Sequence, residues 1–386
     1  MNIFSSKEKK SKIGLLLSGG GARAAYQVGV LRAIAELYPA NSNAPFSVIS
    51  GTSAGSINAV ALAGYDGNFC EKVNRIIEVW ANFEIHHVFK SDISCLIGQM
   101  FKWSTSTILP FGFGGKHPAS LLDNQPLREL LINRIDFDHI QESIDSGELD
   151  ALSVNASSYS SGQSVSFFQA NSSVKEWGRA FRCGVRKNIT IDTLMASSAI
   201  PVIFPAIKLG DEYYGDGSMR QNTPISPALH LGAEKILAIG VRSKKPNTII
   251  KKEVKRPSIS QISGFIMDTL FLNSMDSDME RLERINDLNS AIPEKNRKFR
   301  NIEHLVIYPS EDIGEIAENL FETLPRSFRL ALTFLGIRKD NSSRLTSYLM
   351  FNKQFCSTLI ELGYADAMRR RLEIENFLEI DTAENS

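Results

Sequence analysis

Two short apolar segments, each ended by a glycine-containing turn and followed by a helical pattern, constrain the fold of this chain most strongly. Residues 13–17 are followed by Gly19-Gly20-Gly21, and residues 46–50 are followed by Gly51-Thr52-Ser53-Ala54-Gly55. Short continuous apolar runs are typical of strands that are covered on both faces of a sheet. Two consecutive strand–turn–helix units therefore predict an α/β fold with a mainly parallel central sheet.

The rest of the chain carries patterns of the same kind. Further strands are predicted at 151–155, 165–169, 235–241 and 304–308, with a hairpin at 207–214. Apolar residues recur at helical spacing over 25–37, 57–63, 69–83, 259–273, 321–335, 343–362 and 365–377.

The charge balance and the cysteines argue against several classes of protein. Lysine plus arginine and aspartate plus glutamate each number 43, and this neutral balance argues against a nucleic-acid-binding protein. The four cysteines lie far apart without a CxxC pair, which argues against a disulfide scaffold and a zinc ribbon. We expect neither a metal site nor a cofactor.

The N-terminal residues raise the question of a targeting or membrane segment. No apolar stretch reaches the ~18 residues that a membrane-spanning helix needs. Four lysines precede residues 13–17, but this apolar run stops at Ser18, short of the ~7–15 residues of a signal-peptide core. We therefore expect a flexible basic tail at 1–12 and a cytoplasmic chain.

The glycine loop between the first strand and the first helix allows two interpretations. Gly19-x-Gly21-x-x-Ala24 nearly fits the dinucleotide fingerprint, but no acidic residue follows at the end of the second strand to hold a ribose. No Walker lysine follows the glycines either. Backbone N–H groups at a helix N-terminus form an anion site, which suits an oxyanion, and Arg23 adds a positive charge. A tight turn without a ligand is the alternative.

The second turn has the GxSxG pattern of a nucleophile elbow, and it lies where such an elbow belongs, between a predicted strand and a predicted helix. Gly51 and Gly55 permit the close backbone packing that a sharp turn requires, while Ser53 presents its hydroxyl. We predict that Ser53 is a catalytic nucleophile. A purely structural turn is the alternative.

A serine nucleophile needs a base. Asp216 lies in Gly215-Asp216-Gly217, directly after the predicted hairpin, and is the prominent acidic candidate. None of the six histidines has a distinctive catalytic setting, although a triad that includes His230 remains an alternative to be tested.

Together these blocks resemble the patatin-like phospholipase family, in its bacterial type. The motifs stand in family order: Gly19-Gly20-Gly21-Ala22-Arg23, Gly51-Thr52-Ser53-Ala54-Gly55 and Asp216-Gly217, with 196–205 resembling the stretch that leads to the aspartate. Two positions depart from the family pattern. Ala24 stands where the family usually has glycine, and Ser218 stands where it usually has glycine or alanine.

The resemblance implies a three-layer α/β/α fold and a serine lipid acyl hydrolase that uses a Ser53–Asp216 dyad without histidine. It also implies an oxyanion hole formed by the glycine loop, made up of Gly19, Gly20, Gly21, Ala22 and Arg23. Gly51, Gly55 and Gly217 would support the two turns. An acyltransferase, a thioesterase or a carboxylesterase using the same dyad are the alternatives.

The resemblance also suggests how the chain is divided. We expect a catalytic domain at 13–242, followed at 243–386 by a basic linker and a mainly helical C-terminal extension that packs on the core. The apolar segment 93–113 is interpreted as a lid or acyl groove, with ordinary core packing as the alternative. The basic stretch 242–256 is either a solvated linker or a contact to an anionic membrane surface. A lipid or other acyl ester is the expected substrate, no nucleic acid is expected as a partner, and a homodimer is left open.

Overall fold

The computed structural model describes residues 11–90, 120–243, 274–334 and 343–380, together with Ile262, Phe265, Ile266, Asp268 and Thr269. The predicted lid at 93–113, the first ten residues of the basic tail and nearly all of the basic stretch 242–256 lie outside the described residues. So do most positions of the predicted helix 259–273.

One twisted sheet contains all the strands of the described residues. They are β1 (Ile13–Leu17), β2 (Val48–Thr52), β3 (Ala151–Ser158), β4 (Ser164–Ala170), β5 (Trp177–Arg179), β6 (Arg182–Arg186), β7 (Ile207–Leu209), β8 (Glu212–Asp216), β9 (Lys235–Ile239) and β10 (Glu303–Ile307). The order is β10-β9-β1-β2-β3-β4-β6-β5, and β8 pairs with both β3 and β7.

The strands from β10 to β3 are all parallel, and antiparallel pairs are confined to the other side of the sheet. Every residue of β1 and β2 is buried, as the continuous apolar runs predict for strands covered on both faces. The predicted α/β fold with a mainly parallel sheet is confirmed.

Helices cover both faces of the sheet. They are α1 (Ala25–Leu37), α2 (Ala54–Gly64), α3 (Phe69–Ala81), α4 (Ile85–Val88), α5 (Gln125–Arg134), α6 (His139–Asp145), α7 (Ile191–Ser197), α8 (Ser226–His230), α9 (Ser274–Ser290), α10 (Ile313–Asn319), α11 (Arg326–Phe334), α12 (Ser343–Leu349), α13 (Lys353–Arg369) and α14 (Arg371–Phe377).

Side chains alternate across β1 and so divide the core into two clusters. Leu15 and Leu17 belong to the cluster that contains the buried residues of α1, α2 and α13. Leu16 belongs to the second cluster, with Ala228 of α8 and Met279 of α9. The result is a three-layer α/β/α arrangement. Within the described residues, no helix combines the length and the apolar composition that crossing a bilayer requires.

The C-terminal part of the chain packs directly on this core. A side chain at Gly29 of α1 would meet the carbonyl oxygen of Ile360, and one at Gly363 of α13 would meet that of Tyr26, so the two helices cross in close contact. The Tyr26 hydroxyl donates a hydrogen bond of 3.0 Å to Asp366, and β10 extends the sheet. The division at residue 242 stays a prediction.

Three helix boundaries in this part differ from the sequence prediction. The predicted helix 343–362 is interrupted after Leu349, and α13 begins after Asn352, whose side chain accepts a hydrogen bond of 2.8 Å from the N–H of Phe355. Helix α13 then continues through Gly363 to Arg369, because the close contact with α1 uses the missing side chain there. The predicted helix 321–335 is divided at Pro325 into a 3₁₀ turn and α11.

Candidate active site

Ser53 occupies the sharp turn between β2 and α2. Its φ of 54° and ψ of −130° lie in a region that non-glycine residues rarely adopt, so the surrounding structure has to hold it there. An added side chain at Gly55 would come within 2.4 Å of the Leu17 carbonyl oxygen, and one at Gly51 within 2.4 Å of the Ser56 Cα. Gly51 therefore lets the turn pack against the start of α2, and Gly55 lets it pack against the end of β1.

Two serines hold the backbone of Ser53. Its N–H donates a hydrogen bond of 2.9 Å to the hydroxyl of Ser197, which in turn donates one of 2.6 Å to the carbonyl oxygen of Asn155. Its carbonyl oxygen accepts from both the hydroxyl and the N–H of Ser56, at 2.5 and 2.8 Å. These bonds fix the strained turn from both sides.

The sheet brings Asp216 next to Ser53. The last register pair of β2 with β3 is Thr52 with Asn155, and the next residue of β3, Ala156, pairs with Asp216 of β8. Beyond the end of β2, strand β8 therefore pairs with the same edge of β3. As a result, the Ser53 hydroxyl donates a hydrogen bond of 2.5 Å to Asp216 Oδ2.

The Asp216 carboxylate has a second donor and a fixed backbone. Its Oδ1 accepts a hydrogen bond of 2.9 Å from the N–H of Ser218, and its own N–H donates one of 2.9 Å to the carbonyl oxygen of Ala199. A side chain at Gly217 would lie 2.1 Å from the carbonyl oxygen of Asn155, so glycine is required for this turn to approach β3.

Burial changes the acidity of Asp216. The side chain has no exposed surface, and this burial raises the pKa of Asp216 to about 7, although the hydrogen bonds from Ser53 and Ser218 act in the opposite direction. A carboxylate with a pKa near neutrality is a much stronger base than one in water, whose pKa is ~3.9.

Asn155 is a buried site residue that the sequence did not reveal. Its side-chain amide donates to the carbonyl oxygen of Gly51 at 2.9 Å and to the hydroxyl of Thr52 at 3.0 Å, and its oxygen accepts from Ser166 at 2.7 Å. It thereby connects the end of β2 to β3 directly before the elbow. The only feature of the sequence that could have identified it is the position of a polar residue at the end of the predicted strand 151–155.

The glycine loop lies against the elbow. A side chain built on Gly19 would meet the Ser53 Cβ at 3.1 Å, which places the Gly19 backbone beside the nucleophile. Gly20 precedes a 3₁₀ turn, Gly21–Ala24, that leads into α1, and no side chain caps the N-terminus of this turn. N–H groups at such a terminus are suited to binding an anion. The structure thus brings the predicted loop and elbow together.

The Arg23 side chain contacts the C-terminal segment. It is buried, its Nε donates a hydrogen bond of 2.8 Å to the Ser347 hydroxyl, and its guanidinium lies 4.3 Å from the centre of the Tyr348 ring. A further contact of 3.5 Å joins it to Asp268. Arg23 thus links the glycine loop to the C-terminal segment, and the backbone of the loop is the part that can serve an oxyanion.

A small cavity lies beside the elbow, with Gly19, Thr52, Ser218 and Gln221 among its lining residues. Its volume of about 30 Å³ accommodates a water molecule. The Ser218 hydroxyl and the Gln221 amide nitrogen are both buried without a protein group in hydrogen-bonding geometry. The cavity therefore combines apolar walls with two polar groups, and Ser218 is one of its lining residues.

The family of the chain follows from its sequence. Residues 15–229, which contain the glycine loop, the elbow and Asp216, match the family model of patatin-like phospholipases. This match covers more than half of the 386 residues. The chain belongs to the patatin-like phospholipase family. Membership places it among hydrolases of lipid esters, as the sequence motifs predict.

Two solved structures show a weak similarity to this patatin-like chain. VipD from Legionella pneumophila is 12% identical, with a TM-score of 0.37, over 96% of this chain and 67% of VipD. The human GIVD cytosolic phospholipase A2, in complex with methyl gamma-linolenyl fluorophosphonate, is 11% identical with a TM-score of 0.36, over 94% of this chain and 60% of that one. A comparison with curated proteins gave no match.

The histidines of this patatin-like chain that the structure describes have other partners. Among the five that the structure describes, none hydrogen-bonds to Ser53 or Asp216. His230 stacks on Trp177 with ring centres 4.8 Å apart, His304 contacts Glu283, and His139 contacts Glu142. His86 and His87 both contact Glu84.

Proposed function

We propose that this protein is a serine lipid acyl hydrolase in which Ser53 and Asp216 act as a catalytic dyad. The observation that carries the proposal is the 2.5 Å hydrogen bond from the Ser53 hydroxyl to a fully buried Asp216. The family supports the class of reaction, and this contact supports the assignment of the two roles.

In this mechanism Ser53 attacks the ester carbonyl carbon while its proton passes to Asp216. The carbonyl oxygen becomes an oxyanion, which accepts hydrogen bonds from N–H groups of the glycine loop beside Ser53. When the intermediate collapses, Asp216 returns the proton to the leaving alcohol, and an acyl-enzyme remains. Water then attacks the acyl carbonyl carbon while Asp216 takes its proton. When this second intermediate collapses, Asp216 returns that proton to the Ser53 oxygen and the fatty acid leaves.

Burial suits Asp216 for this role. A base is most effective when its pKa lies near the working pH, and burial raises the pKa of Asp216 to about 7. The buried carboxylate is also held by the Ser218 N–H, so it is oriented without a histidine between it and the nucleophile. Because His230 stacks on Trp177 and does not hydrogen-bond to Asp216, a dyad is favoured over a triad.

The test is hydrolysis of a small panel of phospholipids and neutral acyl esters, with free fatty acid measured for each variant. Ser53→Ala should lose activity by ~10⁴-fold or more, and Asp216→Asn by ~10²–10⁴-fold, with the fold preserved. Ser143→Ala is a matched control, because Ser143 is equally buried but bonds only weakly to the carbonyl oxygen of Ala63 on another part of α2.

Two results would count against the proposal. Retained hydrolysis in Ser53→Ala would reject Ser53 as the nucleophile. Strong activity in Asp216→Asn combined with loss in His230→Ala would replace the dyad by a triad. Adding lysolipid or glycerol to the wild-type reaction tests the acyltransferase alternative, because transfer would give new esters in place of free fatty acid.

A further inference from the structure

Three exposed aromatic side chains lie at the edge of the sheet where Ser53 is located. Tyr159 follows β3, Phe181 lies in the turn between β5 and β6, and Tyr213 lies near the start of β8. Strand β8 runs antiparallel to β3, so its start lies at the carboxyl end of β3. The N–H of Tyr159 donates to the carbonyl oxygen of Tyr213 at 3.0 Å. We call these three residues the aromatic edge.

Phe181 reaches the same edge through β4. Its carbonyl oxygen accepts a hydrogen bond of 2.9 Å from the N–H of Ser164, and Ser164 pairs with Ser157 near the end of β3. The carboxyl ends of β2 and β3 are therefore on the same side of the sheet as all three aromatic residues. Ser53 follows β2 at this side.

All three side chains of the aromatic edge are exposed to solvent. The exposed fraction is 78% for Phe181, 48% for Tyr159 and 53% for Tyr213. Phe181 also has a φ of 59°, in the left-handed region that glycine and asparagine favour in tight turns. Neither packing nor turn geometry explains a phenylalanine at this position, whereas contact with an apolar phase does.

Each aromatic residue has a basic residue close by. Arg179 and Arg182 pair across the hairpin on either side of Phe181, and Lys208 pairs with Tyr213. In the turn that follows Tyr159, the guanidinium of Arg220 lies 3.5 Å from the position of a side chain built on Gly162.

Two acids share this edge with the four basic residues, and Arg182 also interacts electrostatically with Asp278. Asp211 is exposed, and Glu212 accepts a hydrogen bond of 2.6 Å from the Ser158 hydroxyl. Aromatic rings that sit at headgroup depth beside arginine and lysine are typical of surfaces that bind the membrane interface. The excess of positive charge complements anionic headgroups.

The aromatic edge also borders the candidate active site. A side chain at Gly215 would lie 2.6 Å from the Tyr159 hydroxyl, so the Tyr159 ring packs on the residue before Asp216. Burial, and then the charge of Asp216, raises the pKa of Tyr159. A lipid surface that contacts Tyr159 would therefore lie close to Asp216.

We propose that the aromatic edge, with Arg179, Arg182, Lys208 and Arg220, docks this protein on the surface of a lipid bilayer that carries anionic headgroups. The inference rests on the proposed function, since it names the surface from which the lipid ester would enter. It is distinct from the basic stretch 242–256, which sequence reasoning suggested for membrane contact.

The experiment is sedimentation with vesicles of ether-linked lipids, which an ester hydrolase cannot degrade. One set contains phosphatidylcholine and phosphatidylglycerol in equal parts, and the other contains phosphatidylcholine alone. Phe181→Ser should bind the anionic vesicles about tenfold or more weakly than wild type, because it removes one aromatic side chain that would enter the lipid interface. The pair Arg179→Gln and Lys208→Gln should weaken binding about tenfold or more, and only to the anionic set.

Phe299→Ser is the matched control. Phe299 is 70% exposed, comparable to Phe181, but it precedes β10 and so lies toward the opposite edge of the sheet. It should bind as wild type does. Hydrolysis of a soluble monomeric ester, such as a short-chain nitrophenyl ester, should be unchanged in Phe181→Ser and shows that this variant is folded.

Each outcome decides the proposal. Absence of vesicle binding by wild type, equal binding by Phe181→Ser and wild type, or equal loss in Phe299→Ser overturns it. If Phe181→Ser fails to fold, the Arg179 and Lys208 substitutions give the decision. Failure of the proposed function is seen separately, as a wild type that cleaves no ester, whatever its vesicle binding.

Discussion

The N–H of Ser53 and the hydroxyl of Ser197 are joined by a hydrogen bond of 2.9 Å, although 144 positions separate the two residues. Ser197 is the last residue of α7, and its hydroxyl donates a hydrogen bond of 2.6 Å to the Asn155 carbonyl oxygen. The strained turn at Ser53 is thus anchored to both α7 and β3. The conformation of the elbow therefore depends on tertiary contacts as well as on its own five residues.

Removing this anchor should weaken both stability and catalysis. Ser197→Ala leaves the Ser53 N–H buried without an acceptor, which costs about 1–3 kcal/mol in the free energy of unfolding. Ester hydrolysis should fall as the Ser53 side chain loses its fixed direction. Chemical denaturation and kcat measure the two effects. The neighbour Ser198, which bonds to the Leu194 carbonyl oxygen, provides the control Ser198→Ala, which should retain kcat.

Asn155 should behave as a structural support of the same turn. Asn155→Ala removes the donors to the Gly51 carbonyl oxygen and the Thr52 hydroxyl, both of them buried, and leaves a cavity between β2 and β3. We expect a loss of about 2–4 kcal/mol in the free energy of unfolding and a reduced kcat. Unfolding in urea gives the first value, and an unchanged midpoint would contradict the assigned role.

A methyl group at Gly55 should not be tolerated. The added carbon would lie 2.4 Å from the Leu17 carbonyl oxygen and 2.5 Å from that of Ser18, and backbone atoms cannot move aside as a flexible side chain can. We expect Gly55→Ala to lose about 3 kcal/mol or more and to be inactive. Gly178→Ala is the matched change, since nothing lies within 4 Å of its added carbon. Equal thermal stability of the two variants would show that the close packing at the elbow is not required.

Asp216 should contribute a pH-dependent cost to stability. Its folded-state pKa of about 7 exceeds the unfolded value of ~3.9, so the folded state holds the proton more tightly and loses stability as pH rises from about 4 to about 7. Asp216→Asn avoids the buried charge. It should therefore raise Tm relative to wild type at pH 8, and raise it less at pH 5. Calorimetry at both pH values measures the difference, and a Tm increase that is the same or larger at pH 5 would contradict the raised pKa.

The parts of the site that depend on local sequence could be predicted. The glycine loop, the elbow and the hairpin before Asp216 are short segments whose residues reflect their own turns, so the pattern identified them. The parallel strands were also predictable, because buried strands form continuous apolar runs. Strand β2 nevertheless begins two residues later and ends two residues later than predicted, since small polar residues extend it to the elbow.

The supporting contacts could not be predicted, because their residues carry no local pattern. Ser197 and Asn155 act through backbone groups of distant segments, and many buried serines and asparagines look the same in sequence. Arg23 was grouped with the oxyanion loop, yet its side chain binds Ser347 across 324 positions. Strands β5 and β6 were not predicted, because they are only three and five residues long and contain glycine and arginine with few apolar residues.

The most direct test of the dyad is the rate at which a fluorophosphonate probe labels the protein as a function of pH, with the labelled residue identified by mass spectrometry. We predict labelling at Ser53, at a rate that falls as pH drops below about 7, where Asp216 becomes protonated. Asp216→Asn should be labelled ~10²–10⁴-fold more slowly at pH 8. Labelling at another residue, or labelling of Asp216→Asn at the wild-type rate, would contradict the account.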